Sequence, residues 1–158
     1  MVFLQLSIKA ELENVTDLTV DSDFEYFFQV KCTSCNETHP KLVSINRREE
    51  YDVSGGKGGK AHFVWRCSLC KRESFAKFDP SPLKPYNAEN GQLAPFLKIE
   101  CRGLEFIGFD PSGIWKCIGT KGSIFSEVDL SEKEWTDYDE KALLPVGISE
   151  FGSEWSRA

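Results

Sequence analysis

The stretch FEYFFQVKCTSC, residues 24–35, decides the reading of this chain. Aromatic and β-branched residues from Phe24 to Lys31 run straight into two cysteines, Cys32 and Cys35, that are separated by two residues. The same plan returns at AHFVWRCSLC, residues 61–70, where Ala61–Arg66 runs into Cys67 and Cys70. Short aromatic and β-branched runs bounded by turn residues read as strands. Lys41–Ile45 and Glu73–Phe78 read the same way. Each cysteine pair is therefore preceded by a strand and followed by a turn and another strand.

Thirty-one residues separate Cys35 from Cys67. A strand, a glycine-rich connection and a returning strand fit in that interval and would set the two turns side by side. Two cysteines at this spacing can curl their sulfurs onto one ion while backbone N–H groups point at the thiolates. Zn²⁺ settles into a tetrahedron of sulfur and nitrogen ligands in structural sites, so Cys32, Cys35, Cys67 and Cys70 are expected to hold one zinc ion per chain in a zinc-ribbon-like arrangement. His39 and His62 are alternative ligands that a four-sulfur set does not need; the first reads as a surface residue and the second as a strand residue. A redox dithiol would need a helix N-terminus or a nearby cation to lower the thiol pKa, and neither pair clearly starts a helix. A catalytic zinc keeps an open coordination position, which four thiolates would close.

The rest of the chain is also β in pattern. Leu4–Ala10 alternates apolar and polar residues, as does Phe96–Arg102. Leu6-Ser-Ile8-Lys-Ala10 followed by Leu12-Glu13-Asn-Val15 matches Leu97-Lys-Ile99-Glu-Cys101 followed by Leu104-Glu105-Phe-Ile107, with Gly103 as one extra residue. The expectation is a mostly β protein of two similar lobes, 1–80 with the zinc site and 93–158 without cysteine pairs. A Pro- and Asn-Gly-containing connector, 81–92, would join them. Ser131–Glu134 has the spacing of a capping box, which predicts a turn or two of helix at most, and Val146–Phe151 reads as a last strand. SGGKGGK, residues 54–60, fails the phosphate-loop pattern, because Ser54 stands where Gly is required and Ala61 where Ser or Thr is; it reads as a flexible connection. WTDYDEK, residues 135–141, places Trp135, Asp137, Tyr138, Asp139 and Glu140 together as a candidate docking surface, or as an acidic turn packed by its aromatics. Cys101 and Cys117 read as buried free thiols.

Composition limits the function classes. The chain has 158 residues, 41% hydrophobic and 28% charged, enough for one domain with a core or two small lobes. The formal charge is −6; four thiolates (−4) and one Zn²⁺ (+2) would take it to about −8. Nucleic-acid affinity rests on clustered Lys and Arg, and the short runs Arg47–Arg48 and Lys71–Arg72 read as solvated loop charge. No nucleic-acid partner is expected. No apolar run approaches the roughly 20 residues of a membrane span, and the opening MVFLQLSIKAELENV lacks a basic leader. The expected setting is the reducing cytosol, and also the nucleus, where cysteine pairs are metal ligands more often than disulfides. The expected state is a monomer, and the acidity suits a basic protein partner.

The order C-x2-C, 31 residues, C-x2-C, KPYNAE, ECRGLE, WTDYDEK and VGI resembles the eukaryotic family called CXXC-motif-containing zinc-binding protein, from the first strand through AELENVTDL to about Ile148. That resemblance implies an elongated β-rich protein of two similar halves, with one zinc held by Cys32, Cys35, Cys67 and Cys70. Where the family often has Gly after the first pair this chain has Asn36, a residue that tolerates left-handed backbone. The resemblance brings no enzymatic activity. It implies an adaptor role toward an unnamed protein partner, with a connection to metal homeostasis. The rival reading is a thiol-redox or metal-exchange protein that releases zinc on oxidation or to a partner.

Overall fold

The computed structural model describes residues 2–53, 59–87 and 91–158. The glycine-rich connection at 54–58 and the end of the connector at 88–90 lie outside them. The chain is mostly β, as expected. Among the described residues fourteen strands run β1 (Val2–Glu13), β2 (Val15–Thr19), β3 (Tyr26–Cys32), β4 (Val43–Ile45), β5 (Tyr51–Asp52), β6 (Lys60–Ala61), β7 (Phe63–Arg66), β8 (Glu73–Phe78), β9 (Ala94–Arg102), β10 (Leu104–Asp110), β11 (Ile114–Gly119), β12 (Ile124–Asp129), β13 (Trp135–Asp139) and β14 (Leu144–Arg157). Period-2 patterning explains the long ones. In β1 the side chains of Leu4, Leu6, Ile8 and Ala10 are buried, and in β3 those of Tyr26, Phe28, Val30 and Cys32, with their neighbours turned outward.

The largest sheet has the order β13-β14-β1-β9-β8-β7; two three-stranded sheets, β10-β3-β4 and β12-β11-β2, and the β5-β6 pair complete the described structure. The boundary expected between residues 1–80 and 93–158 is not a boundary between sheets, since both three-stranded sheets and the large sheet take strands from each side of it. The pairing is nevertheless two-fold symmetric. Exchanging β1, β2, β3, β4, β7 and β8 for β9, β10, β11, β12, β13 and β14 leaves every pairing among them unchanged. β1 and β9 lie antiparallel at the centre, with Leu6 opposite Leu97, and β2 pairs with β11 while β10 pairs with β3. Local sequence similarity marks the equivalent strands but carries no information on which copy supplies their partners; a separate-lobe arrangement and this interlocked one have the same one-dimensional pattern.

One apolar cluster fills the space between the sheets. Trp115 is its largest fully buried side chain, with Phe24 edge-on at 5.5 Å and Phe96 stacked at 5.3 Å, and its indole N–H donates to the Pro111 carbonyl at 2.8 Å. A second aromatic group, Phe28, Phe106 and Trp155, ties β3, β10 and β14 together. The connector is pinned by Tyr86, which is buried, exchanges backbone hydrogen bonds with Leu18 and donates its hydroxyl to the Gln92 carbonyl at 2.6 Å.

One local expectation changes. Ser131 opens no helix: its N–H and hydroxyl both go to Asp129, Lys133 N–H closes a turn on the Leu130 carbonyl, and Lys133 takes φ 64°. The chain then enters β13. Asp129, two residues upstream, outcompetes the helix that the cap would have begun. Among the described residues no helix is long and apolar enough to cross a membrane.

Candidate metal centre

β3 ends at Cys32 and β7 ends one residue before Cys67, and both cysteine turns have the same backbone wiring. In the first, Cys32 N–H donates to the Glu37 carbonyl and Asn36 N–H to the Cys32 carbonyl, each at 2.9 Å. In the second, Cys67 N–H donates to the Arg72 carbonyl at 3.0 Å and Lys71 N–H to the Cys67 carbonyl at 2.9 Å. Each turn closes on a left-handed residue directly after its second cysteine, Asn36 at φ 63° and Lys71 at φ 64°. Asparagine was expected to accept that conformation; lysine does so against a steric cost of about 1–2 kcal/mol. Thr33 N–H to the Gly103 carbonyl (3.2 Å) docks the first turn on β9–β10, and the Arg72 guanidinium donates to Ser34 Oγ at 3.1 Å, linking the two turns.

The four sulfurs converge. Cys32 Sγ lies 3.6 Å from Cys70 Sγ, Cys35 Sγ lies 3.6 Å from Cys67 Sγ, and all four are within 4.8 Å of one another. A disulfide would bring two of them to about 2.05 Å, and all six cysteines are unbridged. A zinc–sulfur bond of about 2.3 Å sets the edge of a regular ZnS₄ tetrahedron near 3.8 Å. The two printed pairs, at 3.6 Å, lie near that edge and all four sulfurs fall within 4.8 Å of one another, so these residues are placed to hold a metal ion. Cys32 and Cys67 are fully buried, and Cys35 and Cys70 are half-buried.

The electrostatics point the same way. Burial opposes ionisation of Cys32, but the N–H groups of Cys35 and Ser34 and the neighbouring thiols donate to its sulfur and bring it down to about 7. The Cys70 N–H lowers Cys67, against burial and with help from Leu69 N–H. The Glu37 N–H pulls Cys35 downward, but burial and the three surrounding sulfurs outweigh it and push it up to about 12. Sulfurs this close cannot all ionise unless a cation sits among them, which is the condition a bound metal meets.

Neither histidine joins the cluster. His39 packs edge-on against Trp65 at 5.8 Å. His62 lies at the bend between β6 and β7 rather than inside a strand, and its Nδ1 accepts the Phe78 N–H at 3.0 Å; burial lowers its pKa. Cys101 and Cys117 are buried away from the group, and desolvation pushes both thiols up to about 12, Glu100 and Glu105 adding to the effect at Cys101.

The candidate docking residues lie on β13, the edge of the large sheet opposite the β7 edge. Trp135 packs edge-on against Phe125 at 5.4 Å, Tyr138 is 49% exposed, and Asp137 and Glu140 face solvent. Asp139 does not belong to that surface. It is 1% exposed, and its Oδ1 accepts from Ser123 Oγ at 2.7 Å, Lys141 N–H at 3.0 Å and Ala142 N–H at 3.2 Å. A short side chain that satisfies the turn's backbone donors is pulled inward by them. The same end exposes Ile124 (74%) and Leu143 (71%), which sequence patterning did not single out. Their only signal was an isoleucine opening a strand and a Leu-Leu pair in a turn.

Comparison with known proteins follows from this geometry. The family described as CXXC motif containing zinc binding protein, eukaryotic, matches residues 5–156. A human protein named CXXC motif containing zinc binding protein is 41% identical over 150 residues, 93% of each chain. The crystal structure of C1orf123 superposes with a TM-score of 0.92 at 39% identity over 99% of both chains. A hypothetical protein from Plasmodium falciparum superposes at 0.88 with 28% identity, over 99% of this chain and 100% of that one.

Proposed function

The chain belongs to the eukaryotic CXXC motif containing zinc binding protein family, and on that premise we propose that it is a non-enzymatic protein in which Cys32, Cys35, Cys67 and Cys70 hold one structural Zn²⁺. One observation carries this reading: four sulfurs from two identically wired turns meet within 4.8 Å of one another, two pairs of them near the edge length of a ZnS₄ tetrahedron. The ion would supply four metal–sulfur bonds and a positive charge that lets neighbouring thiolates coexist. The protein's own contribution is to aim backbone N–H groups at the sulfurs and to bury Cys32 and Cys67. A shell filled by protein sulfur leaves no position for substrate, which supports a structural over a catalytic metal.

The remaining task is adaptor-like. Trp135, Asp137, Tyr138 and Glu140, with the exposed Ile124 and Leu143 at the same end, offer an acidic and apolar surface suited to a basic protein partner. The protein acts as a monomer in the cytosol and nucleus, away from nucleic acid and membranes. Metal homeostasis is the setting in which such a partner is sought.

The partial exposure of Cys35 and Cys70 favours a second reading, in which peroxide is reduced to water while two thiolates lose an electron each, join as a disulfide and release the metal. Metal analysis of the purified protein and free-thiol counts after mild peroxide, with and without chelator, separate the two. One zinc per chain with slow release and protected thiols supports the structural role; fast, reversible release with disulfide formation replaces it. Capture from native lysate by wild type, compared with a variant carrying alanine at 135, 137, 138 and 140, tests the adaptor role. Asp139 is kept because the turn depends on it. Equal capture by both proteins removes that surface from the proposal.

A further inference from the structure

A cleft of about 770 Å³ opens beside the cysteine cluster, and both turns build it. Thr33 and Ser34 line it from the first turn, Arg72 and Ser74 from the chain leaving the second, Lys60 from β6 and Arg102 from the end of β9. Its volume is in the range of small-molecule sites. Three cations therefore face one space. The lining carboxylate is Glu73, which is already engaged in an interaction of its own. Among the described residues the ion pairs are Lys31–Glu105 and Lys116–Asp21, and neither involves these cations. The Arg72 fork is oriented by its bond to Ser34 Oγ, which uses one of its five donors.

The floor of the cleft is closed beneath these cations. Ser74 is 1% exposed, and its buried Oγ lies on the face of β8 opposite the one that Phe75 shares with Arg102. Its place is held by Gly103, a left-handed glycine at φ 81° whose missing Cβ would stand 2.6 Å from that oxygen.

We infer that this cleft binds the phosphate group of a small phosphomonoester. A tetrahedral dianion offers acceptors in several directions at once, which matches two guanidinium forks, an ammonium and the hydroxyls of Thr33 and Ser34. A flat carboxylate would satisfy one fork and leave the rest. The net charge of −6 opposes long polyanions and tolerates a compact one in a local positive cleft.

The test uses the full-length, zinc-loaded protein, titrated at constant ionic strength with inorganic phosphate and with phenyl phosphate and followed by amide NMR shifts. Saturable shifts are expected at Thr33, Ser34, Arg72, Ser74 and Gly103. Arg102→Gln should weaken binding about tenfold. Arg66→Gln removes the same charge outside the cleft, where Arg66 holds the Lys71 carbonyl, and should change affinity little. Absence of saturable shifts, or equal weakening by Arg66→Gln and Arg102→Gln, overturns the site. So does an Arg102→Gln protein that loses zinc to a chelator faster while keeping its phosphate affinity, because the cations would then serve the thiolates. Phenyl phosphate binding no tighter than inorganic phosphate rejects the ester.

Discussion

Replacing Cys67 by serine removes one of four sulfurs that lie within 4.8 Å of one another, and with it the link between the β3 turn and the β7–β8 turn. The size of the effect follows from the loop that link closes. Cys35 and Cys67 are 32 positions apart, and the loop-entropy relation for a cross-link of that span gives about 4 kcal/mol at 25 °C. In a chain of this size 1 kcal/mol moves the midpoint by about 2–4 °C, so Cys67→Ser should lower Tm by roughly 8–16 °C. Thermal melts of wild type, variant and chelated wild type, each with its zinc content measured, provide the assay. Hydrogen exchange provides the location: protection should fall at residues 30–38 and 64–75 and persist in β13 and β14, at the far edge of the sheet. A variant that keeps a full equivalent of zinc and melts within about 2 °C of wild type would refute the argument. A variant that loses zinc with protection falling evenly through all sheets would refute its local part.

Lys71→Gly should raise stability by up to about 1 kcal/mol, since glycine removes left-handed strain at φ 64° while giving back part of the gain as chain entropy; a lower denaturation midpoint would contradict it. Asp139 is held below the usual carboxylate range, first by the Ser123 hydroxyl and then, against desolvation, by the N–H groups of Ala142 and Lys141. A depressed folded pKa contributes stability above the unfolded value of about 3.9, and that contribution is lost as pH falls through the lower folded value. Asp139→Asn should therefore flatten the acid limb of a Tm-versus-pH profile below about pH 4, and an unchanged slope would exclude Asp139 as its source. Cys101 and Cys117, raised to about 12 by burial, should resist a thiol reagent near pH 8 until the protein unfolds, whereas chelation should expose the four clustered thiols; early labelling at Cys101 would count against it.

The strands that carry the cysteines were legible because burial imprints period 2 on them: Tyr26, Phe28, Val30 and Cys32 face inward in turn, and Glu73–Phe78 was read to its observed ends. The four-cysteine cluster was legible because C-x2-C states its own local geometry, and only the approach of the two turns had to be supplied by the fold. The far end of β14 was not read, because Gly152, Ser153 and Glu154 are half-buried or exposed and leave no alternation. β11 and β12 went unassigned, although Trp115, Cys117 and Val128 are buried on them. Asp139 was read as surface because a carboxylate in an acidic run looks solvated; its inward turn depends on Ser123, sixteen positions upstream. Pairing across the midpoint was beyond reach for the same reason, since it depends on partners from 72 positions away (Cys32 and Leu104) to 153 (Leu4 and Arg157).

That exchange of partners bears on how the chain can be made. β1, made before every other described strand, lies between β14 and β9, with Leu4 across from Arg157. β2 and β3 likewise depend on β11 and β10. Once β8 has been made the nascent polypeptide can join β3 to β4, β5 to β6 and β7 to β8, while Leu6, Ile8 and Leu18 remain without the sheets that will cover them. All four clustered cysteines have been translated by residue 70. Sulfur is thus the first long-range tether open to the emerging protein, and the large sheet closes only after β14 has been made.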